Sequence, residues 1–438
     1  MNSLLRIPYA AAGVFAEAFV RAIPAGQSKF RRGLSARRGL IGRYERWGAT
    51  ARDPARPLVW FHAPSVGEGL QALPVVELLR QRRAEIQVVY TFYSPSAEQF
   101  AVSVKADFSD FLPFDTEAHS RAIVTALRPD ALVFSKLDIW PQLTEHAAAS
   151  GVPVGVISAT LPETSGRRGV LARALLGDAY RAIERVGAID EDDAERLRQQ
   201  GVRADRVTVT GDTRYDQVWA RANRAPSAFI ESLRSSRPTL VAGSTWPPDE
   251  AHLFEAWLRI REKIPDARVI FAPHEASDGH LRAIESWARS TVLALARIDS
   301  PAASSADVIL VDRYGVLGDL YSLADVAYVG GGFHSPGLHS VLEPAAFGAP
   351  VLFGPRNEKS RDAAKLIQSG GGAQINGAVD LSIRLGDWLG SAAARENAGA
   401  RARNTVQSGL GAAERSYDLV TKLLRPRGLG RDVSAADR

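Results

Sequence analysis

Short apolar runs of strand length alternate with amphipathic helical patterns from Pro57 onward, at 58–62, 86–92, 131–134, 152–158, 186–189 and 207–209. The alternation restarts at 239–242 and continues at 267–271, 308–311, 326–329, 351–353 and 373–375. Continuously apolar strands separated by helices predict a parallel sheet covered on both faces. Two such series predict an α/β fold of two Rossmann-like, doubly wound parallel-sheet domains facing a cleft. Ligands of such sheets bind beyond the carboxyl ends of the strands. Residues 221–238 carry Pro226, Pro238 and a mixed-charge helical pattern, and read as an interdomain linker. That division gives 1–50 as an N-terminal segment, 51–220 as the first domain, 239–424 as the second, and 425–438 as a frayed tail.

With 438 residues the chain exceeds what one hydrophobic core ordinarily serves, in keeping with two domains. Its 45% hydrophobic and 24% charged content is that of a soluble globular protein. Cysteine is absent, which excludes disulfides, zinc-finger ligation and thiol catalysis. A net charge of +5 points to an anionic partner. Much of the charge lies in Lys29, Arg31, Arg32, Arg37, Arg38, Arg43 and Arg46, set against Glu45 and interleaved with Phe30, Leu34, Leu40, Ile41, Tyr44 and Trp47. The uncharged run 7–16 ahead of it is too short for a bilayer span, which takes roughly 18 or more apolar residues. Residues 1–47 therefore read as a basic amphipathic segment on an anionic membrane surface, or as a solvated arm packed on the first domain. No nucleic-acid-reading motif accompanies the charge, so nucleic acid is not expected as a partner.

Candidate chemistry gathers at strand ends. After run 58–62 comes APSVGEGLQAL, where Ser65 and Glu68 make a capping-box pattern ahead of an apolar helix face. Glu68 is thus either a helix-start carboxylate or a base facing the cleft, able to take a proton from a sugar hydroxyl. In SKLDIWPQL, Lys136 and Asp138 form an ion pair, or Lys136 holds a substrate anion and Asp138 caps a helix. Arg214, in GDTRYDQV, is an anion clamp or a surface salt bridge. In the second domain VAGSTWPPDE offers Ser244 and Thr245 at a strand end ahead of a helix start, and FAPHE puts His274 after a strand. The stretch 329–355, VGGGFHSPGLHSVLEPAAFGAPVLFGP, carries Gly330, Gly331 and Gly332 in a turn that lets the backbone approach a ligand, with a helix start near His339 for a phosphate. Glu343 follows within reach of a nucleotide ribose. His62, His119, His146, His252 and His280 read as structural, Asp190 to Asp192 as a helix cap, and His334 with His339 lacks a third metal ligand.

Taken in order, HAPSVGE, TFYSPSAEQF, FLPFDT, GDTRYD, GSTWPPDE, APHE and the 329–355 stretch resemble the bacterial 3-deoxy-D-manno-octulosonic acid (Kdo) transferases over nearly the whole chain. The resemblance implies a GT-B fold, an inverting transfer of Kdo from CMP-Kdo to a lipid A precursor, and no cofactor or catalytic metal. It also implies attachment to the cytoplasmic face of the bacterial inner membrane. By that resemblance Glu68 is the catalytic glutamate, Glu343 lies at the nucleotide ribose, and Gly330, Gly331 and Gly332 are the glycine turn. Ser65, Lys136, Asp138 and Arg214 are then expected around the acceptor or the sugar carboxylate. Ser244, Thr245, His274, His339, Ser340 and Arg356 are expected around the nucleotide sugar. The chain departs from the family pattern at Ser340 for asparagine, at SKLDIWP for ETELWP, at SATLP for NARLS, and at Trp246 for the histidine of an STH motif. A GT-B enzyme using another nucleotide sugar, or a non-catalytic nucleotide- or membrane-binding protein on the same scaffold, would share these features. A dehydrogenase is disfavoured, because the first strand leads into HAPSVGE and not GxGxxG.

Overall fold

The computed structural model describes residues 29–335 and 337–425, with scattered positions between 5 and 17. The chain divides into two units, Met1–Gln217 with Gly411–Arg438, and Val218–Leu410. The first is built on β1 (Leu58–His62), β2 (Gln87–Phe92), β3 (Phe108–Phe111), β4 (Ala131–Ser135), β5 (Val154–Ala159), β6 (Arg185–Ala188) and β7 (Val207–Val209). Their order is β3-β2-β1-β4-β5-β6-β7. The second is built on β8 (Thr239–Thr245), β9 (Arg268–Pro273), β10 (Leu295–Arg297), β11 (Val308–Leu310), β12 (Val326–Val329), β13 (Val351–Phe353) and β14 (Gly372–Gln374), in the order β10-β11-β9-β8-β12-β13-β14. Every pairing is parallel. In each sheet the winding reverses beside the first strand, between β1 and β4 and between β8 and β12, where ligands of such sheets bind.

Alternate residues of the second sheet feed two cores. Leu240, Ala242, Val269 and Phe271 enter one, and Val241, Ile270 and Ala272 the other. This is why the strands read as continuous apolar runs. Strands β3 and β10 escape that reading, and each is the outermost strand on one side of its sheet. An edge strand has one neighbour and is partly solvated, so FSDF can carry Ser109 and Asp110 and LAR can stop at three residues.

Three expected boundaries move. Residues 221–238 are not a free linker, because Ile230 and Leu233 are buried in the second unit's core. The second unit also ends before 424. From Gly411 the chain rejoins the first unit, where Leu419, Val420 and Leu423 are buried in its core. The Asp216 carboxylate anchors that return by accepting from the N–H groups of Gly411 and Ala413 at 2.8 and 3.0 Å. Around this return the chain forms two helices, Ala392–Gln407 and Ala412–Thr421, separated at Gly411 with φ 88°.

The third boundary is the N-terminal segment, whose helix Leu40–Thr50 is part of the first unit. Leu40 and Tyr44 are buried in its core, and the Tyr44 hydroxyl donates to the Phe111 carbonyl at 2.8 Å. Trp47 stacks on Phe108 at 5.3 Å. Arg43 pairs with Asp110 at 2.6 Å, and Arg37 donates to the carbonyls of Leu112 and Tyr93 at 3.1 and 3.0 Å. The packed-arm alternative therefore describes these residues, while Arg31, Arg32, Arg38 and Arg46 stay exposed. Residues 18–28 and most of the expected tail, 426–438, lie outside the described residues.

Candidate functional site

In the first unit the helix Val66–Arg82 starts just beyond β1 with Ser65 at its N-cap and Glu68 in its first turn. The capping box does not form. Ser65 turns its hydroxyl to the Glu68 carboxylate and caps no N–H. Lys136, on the turn after β4, brings its ammonium to 3.2 Å from the other carboxylate oxygen. The pair therefore straddles the β1–β4 switch point. Burial acts to raise the Glu68 carboxyl, but the Ser65 hydrogen bond and the Lys136 ammonium outweigh it and hold the group below the ordinary carboxylate range. With 17% of its side chain exposed, Glu68 is ionised, reachable and only partly satisfied.

Lys136 adopts φ 61°, Ser158 at the end of β5 φ 50°, and Ser244 near the end of β8 φ 53°. Left-handed conformations cost a non-glycine residue roughly 1 kcal/mol or more and cluster where function aims a side chain. Ser158 is also hydrogen bonded to the Thr213 hydroxyl at 2.9 Å, and Thr213 donates to the Gln71 carbonyl at 2.6 Å. The SATLP and GDTRYD segments thus meet the helix Val66–Arg82 at one end of the sheet.

The remaining first-unit candidates are engaged with protein groups. Asp138 does not cap the helix Pro141–Ala149. It accepts from Trp140 Nε1 at 3.1 Å and from Arg167 at 3.1 Å. The cap comes from Asp115, 26 residues before Pro141 in sequence, whose carboxylate accepts from the N–H groups of Gln142 and Leu143 at 2.9 and 2.8 Å. Arg214 grips Asp212 through Nε and Nη2 at 2.9 and 2.6 Å, which is the salt-bridge alternative. His62 is fully buried; its Nδ1 is hydrogen bonded to Thr91 and its Nε2 accepts from Trp140 Nε1 at 3.2 Å. Asp190 caps its helix as expected, accepting from the Asp193 N–H at 2.8 Å.

The second unit repeats the arrangement with a different outcome. The helix Pro247–Lys263 starts beyond β8, and its first-turn carboxylate, Asp249, is wholly buried. Asp249 accepts from the N–H groups of Trp246, Gly331 and Phe333 at 3.0, 2.9 and 3.3 Å, and from the Tyr328 hydroxyl at 2.9 Å. The Gly330 N–H donates to the Gly243 carbonyl at 2.9 Å. The Gly330 and Gly331 N–H groups are therefore taken, which corrects the expectation that this turn brings its backbone to a ligand. An anion of the protein's own already fills that loop. A Cβ on Gly330 would meet the Ser244 carbonyl, and one on Gly332 would meet the Gly354 backbone. The glycines serve close approach of three loops.

Sequence reasoning missed Asp249, although Trp246 followed by Pro-Pro-Asp has the spacing of a capping box.

Beside this loop Trp246, His274, His334 and His339 form a stacked cluster. Thr245 donates to the buried Glu250 at 2.7 Å, and Glu250 pairs with His280 at 2.9 Å. Glu343 is half-buried in the first turn of Leu342–Ala346, with its carboxyl raised by burial against the opposing influence of Arg221. Ser340 and Arg356 are exposed. Among the described residues no three His, Asp or Glu side chains converge to hold a metal ion.

A family model described as 3-deoxy-D-manno-octulosonic-acid transferase (kdotransferase) matches residues 40–217. The match begins at the first residue of the helix Leu40–Thr50 and stops where the first unit's main segment stops. A 3-deoxy-D-manno-octulosonic acid transferase of Bordetella pertussis is 29% identical over 394 residues, covering 86% of this chain and 90% of the relative. One of Haemophilus influenzae is 24% identical over 417 residues, covering 93% and 95%. In fold, the chain is similar to a UDP-GlcNAc 2-epimerase from Neisseria meningitidis solved with UDP-GlcNAc, with TM-score 0.60, 17% identity, and coverage of 84% of this chain and 100% of that one. A glycosyltransferase from Rickettsia africae gives TM-score 0.54 at 12% identity, covering 84% and 99%. Both are likenesses of fold, and the two seven-stranded parallel sheets are those of the GT-B class.

Proposed function

We propose that this chain, a glycosyltransferase of the Kdo transferase family, moves Kdo from CMP-Kdo to a lipid A precursor with inversion at the anomeric carbon. The observation that carries the reading is Glu68, held ionised by Ser65 and Lys136 at the first unit's switch point. Glu68 takes the proton of the acceptor hydroxyl as its oxygen bonds to the anomeric carbon. The bond from that carbon to the phosphate oxygen breaks on the opposite face, and CMP leaves. General-base assistance of this kind contributes roughly 10²–10⁴ in rate. Ser65 and Lys136 offset the burial that would otherwise raise the carboxyl, and so keep it ionised while lowering its basicity.

The nucleotide falls to the second unit. With the Gly330 and Gly331 N–H groups engaged, the phosphate is assigned to the Ser244–Thr245 turn, His339 and Arg356, and the ribose to Glu343. Lys136 is the cation nearest the base and a candidate for the sugar carboxylate. In this proposal protein donors and cations neutralise the departing phosphate without a cofactor or metal. Incubation with CMP-Kdo and a tetraacylated lipid A precursor should give product heavier by one or more Kdo units. Transfer from a UDP-sugar, with CMP-Kdo left intact, would overturn the donor assignment.

No helix among the described residues is long and apolar enough to cross a membrane. Attachment to the cytoplasmic face of the inner membrane, peripheral or through an N-terminal anchor, is proposed with the basic segment at the lipid surface. Because Leu40 and Tyr44 belong to the core, deleting 1–47 would damage the fold, and charge removal is the cleaner test. Neutralising the exposed Arg32 and Arg46 should weaken binding to anionic liposomes by about fivefold per charge at low salt. Unchanged binding would move the contact elsewhere.

A further inference from the structure

Trp246 stands where the family pattern has histidine, and its indole Nε1 donates to Nε2 of His339 at 3.2 Å. The indole ring stacks on His334 at 4.4 Å and 4°, and on His274 at 4.7 Å and 26°. His274 in turn stacks on His339 at 4.3 Å. An indole N–H is a donor only, so the His339 Nε2 it meets must carry a lone pair. The imidazole is then neutral with its proton on Nδ1. The surroundings agree: burial first, then His274 across the stack and His334 on the glycine loop, push the His339 pKa down to about 4. Asp249, on the helix Pro247–Lys263, acts in the opposite direction, but its carboxylate is already bound by four donors.

We propose that Trp246 is a positioning residue that fixes His339 as the neutral, Nδ1-protonated tautomer, so that it meets the anionic nucleotide as an oriented hydrogen-bond donor and not as a cation. The inference rests on the second unit being the nucleotide site. A histidine at 246 could donate or accept and would not impose one tautomer. The tryptophan removes that freedom and makes the contact indifferent to pH between about 5 and 8.

The test uses the full-length protein labelled with ¹⁵N-histidine, with His339 identified by its loss in the His339→Gln spectrum. Two-bond ¹H–¹⁵N correlations should give an unprotonated Nε2 and a protonated Nδ1 from pH 8 to pH 5. In Trp246→Phe, which keeps an aromatic ring but no N–H, that tautomer preference should be lost and the titration midpoint should rise. The ratio of Trp246→Phe to wild-type CMP affinity, read by calorimetry, should then climb severalfold as pH falls from 8 to 5.5, because an imidazolium now faces the phosphate. Taking the ratio cancels the ionisation of CMP itself, and adding His339→Gln should flatten the climb. A wild-type His339 protonated on Nε2, or a Trp246→Phe spectrum with unchanged tautomer and midpoint, overturns the proposal. A wild-type protein that keeps the tautomer yet binds no CMP overturns the nucleotide reading instead, since the spectra need no ligand.

Discussion

Glu68 and Asp249 occupy the same place in two copies of one architecture, each a carboxylate in the first turn of the helix that follows the first strand of its sheet. Asp249 is wholly buried and accepts from four donors, three backbone N–H groups and a tyrosine hydroxyl. Glu68 keeps 17% of its side chain exposed and is paired with one hydroxyl and one ammonium. A carboxylate saturated by fixed donors holds structure and has no lone pair to offer. One held ionised by two partners and open to solvent can accept a proton from a substrate. The difference is made by the loop after the fourth strand of sheet one and the fifth of sheet two: Lys136 brings a side chain to Glu68, whereas Gly331 and Phe333 bring backbone to Asp249.

The sharpest break between the two is expected on replacing each carboxylate. Glu68→Gln should lower turnover by at least about a hundredfold while leaving the denaturation midpoint nearly unchanged. Near-wild-type turnover would remove Glu68 from the chemistry. Asp249→Ala should behave oppositely, costing about 3–5 kcal/mol in urea or guanidinium unfolding, because four donors lose their acceptor at once. A stable Asp249→Ala protein would mean that the glycine loop holds itself.

A finer test concerns pH. On the proposed mechanism Glu68 is the ionised base, so turnover should fall as pH drops through its folded-state pKa, which is held low. Lys136→Met removes the neighbouring cation, so the acid limb of kcat/KM should move to higher pH, toward the ordinary carboxylate range. An unmoved limb would say that Lys136 serves the substrate alone. The smallest effect is expected for Ser65→Ala, which removes one donor to Glu68 and no helix cap. It should cost under about 1 kcal/mol of stability and move the same limb in the same direction.

The interior strands of both sheets were readable because burial on two faces favours apolar residues on both, as in Leu58 to Phe61 of β1. The outer strands β3 and β10 lacked that signal. Glu68 was readable as a candidate because a carboxylate three residues after Ser65 at a strand end is a local pattern. Its freedom from capping was not. The glycine turn was found for a reason the fold revises, since Gly330 and Gly332 admit neighbouring backbone and Gly331 serves Asp249. The basic segment reads as amphipathic whichever surface it meets, and only packing assigns Leu40, Tyr44 and Trp47 to the first unit's core.

By itself the sequence determined the two α/β units, the order of their interior strands along the chain, and the motifs at the strand ends. These follow from periodicity and from side chains within a few residues of one another. Tertiary structure decided what is separated along the chain: the return of Gly411 to Asp216, the seating of Gly331 on Asp249, the approach of Lys136 to Glu68, and the hydrogen bond from Trp246 to His339. Which donor reaches which acceptor depends on strand order and loop approach, and no local pattern contains either.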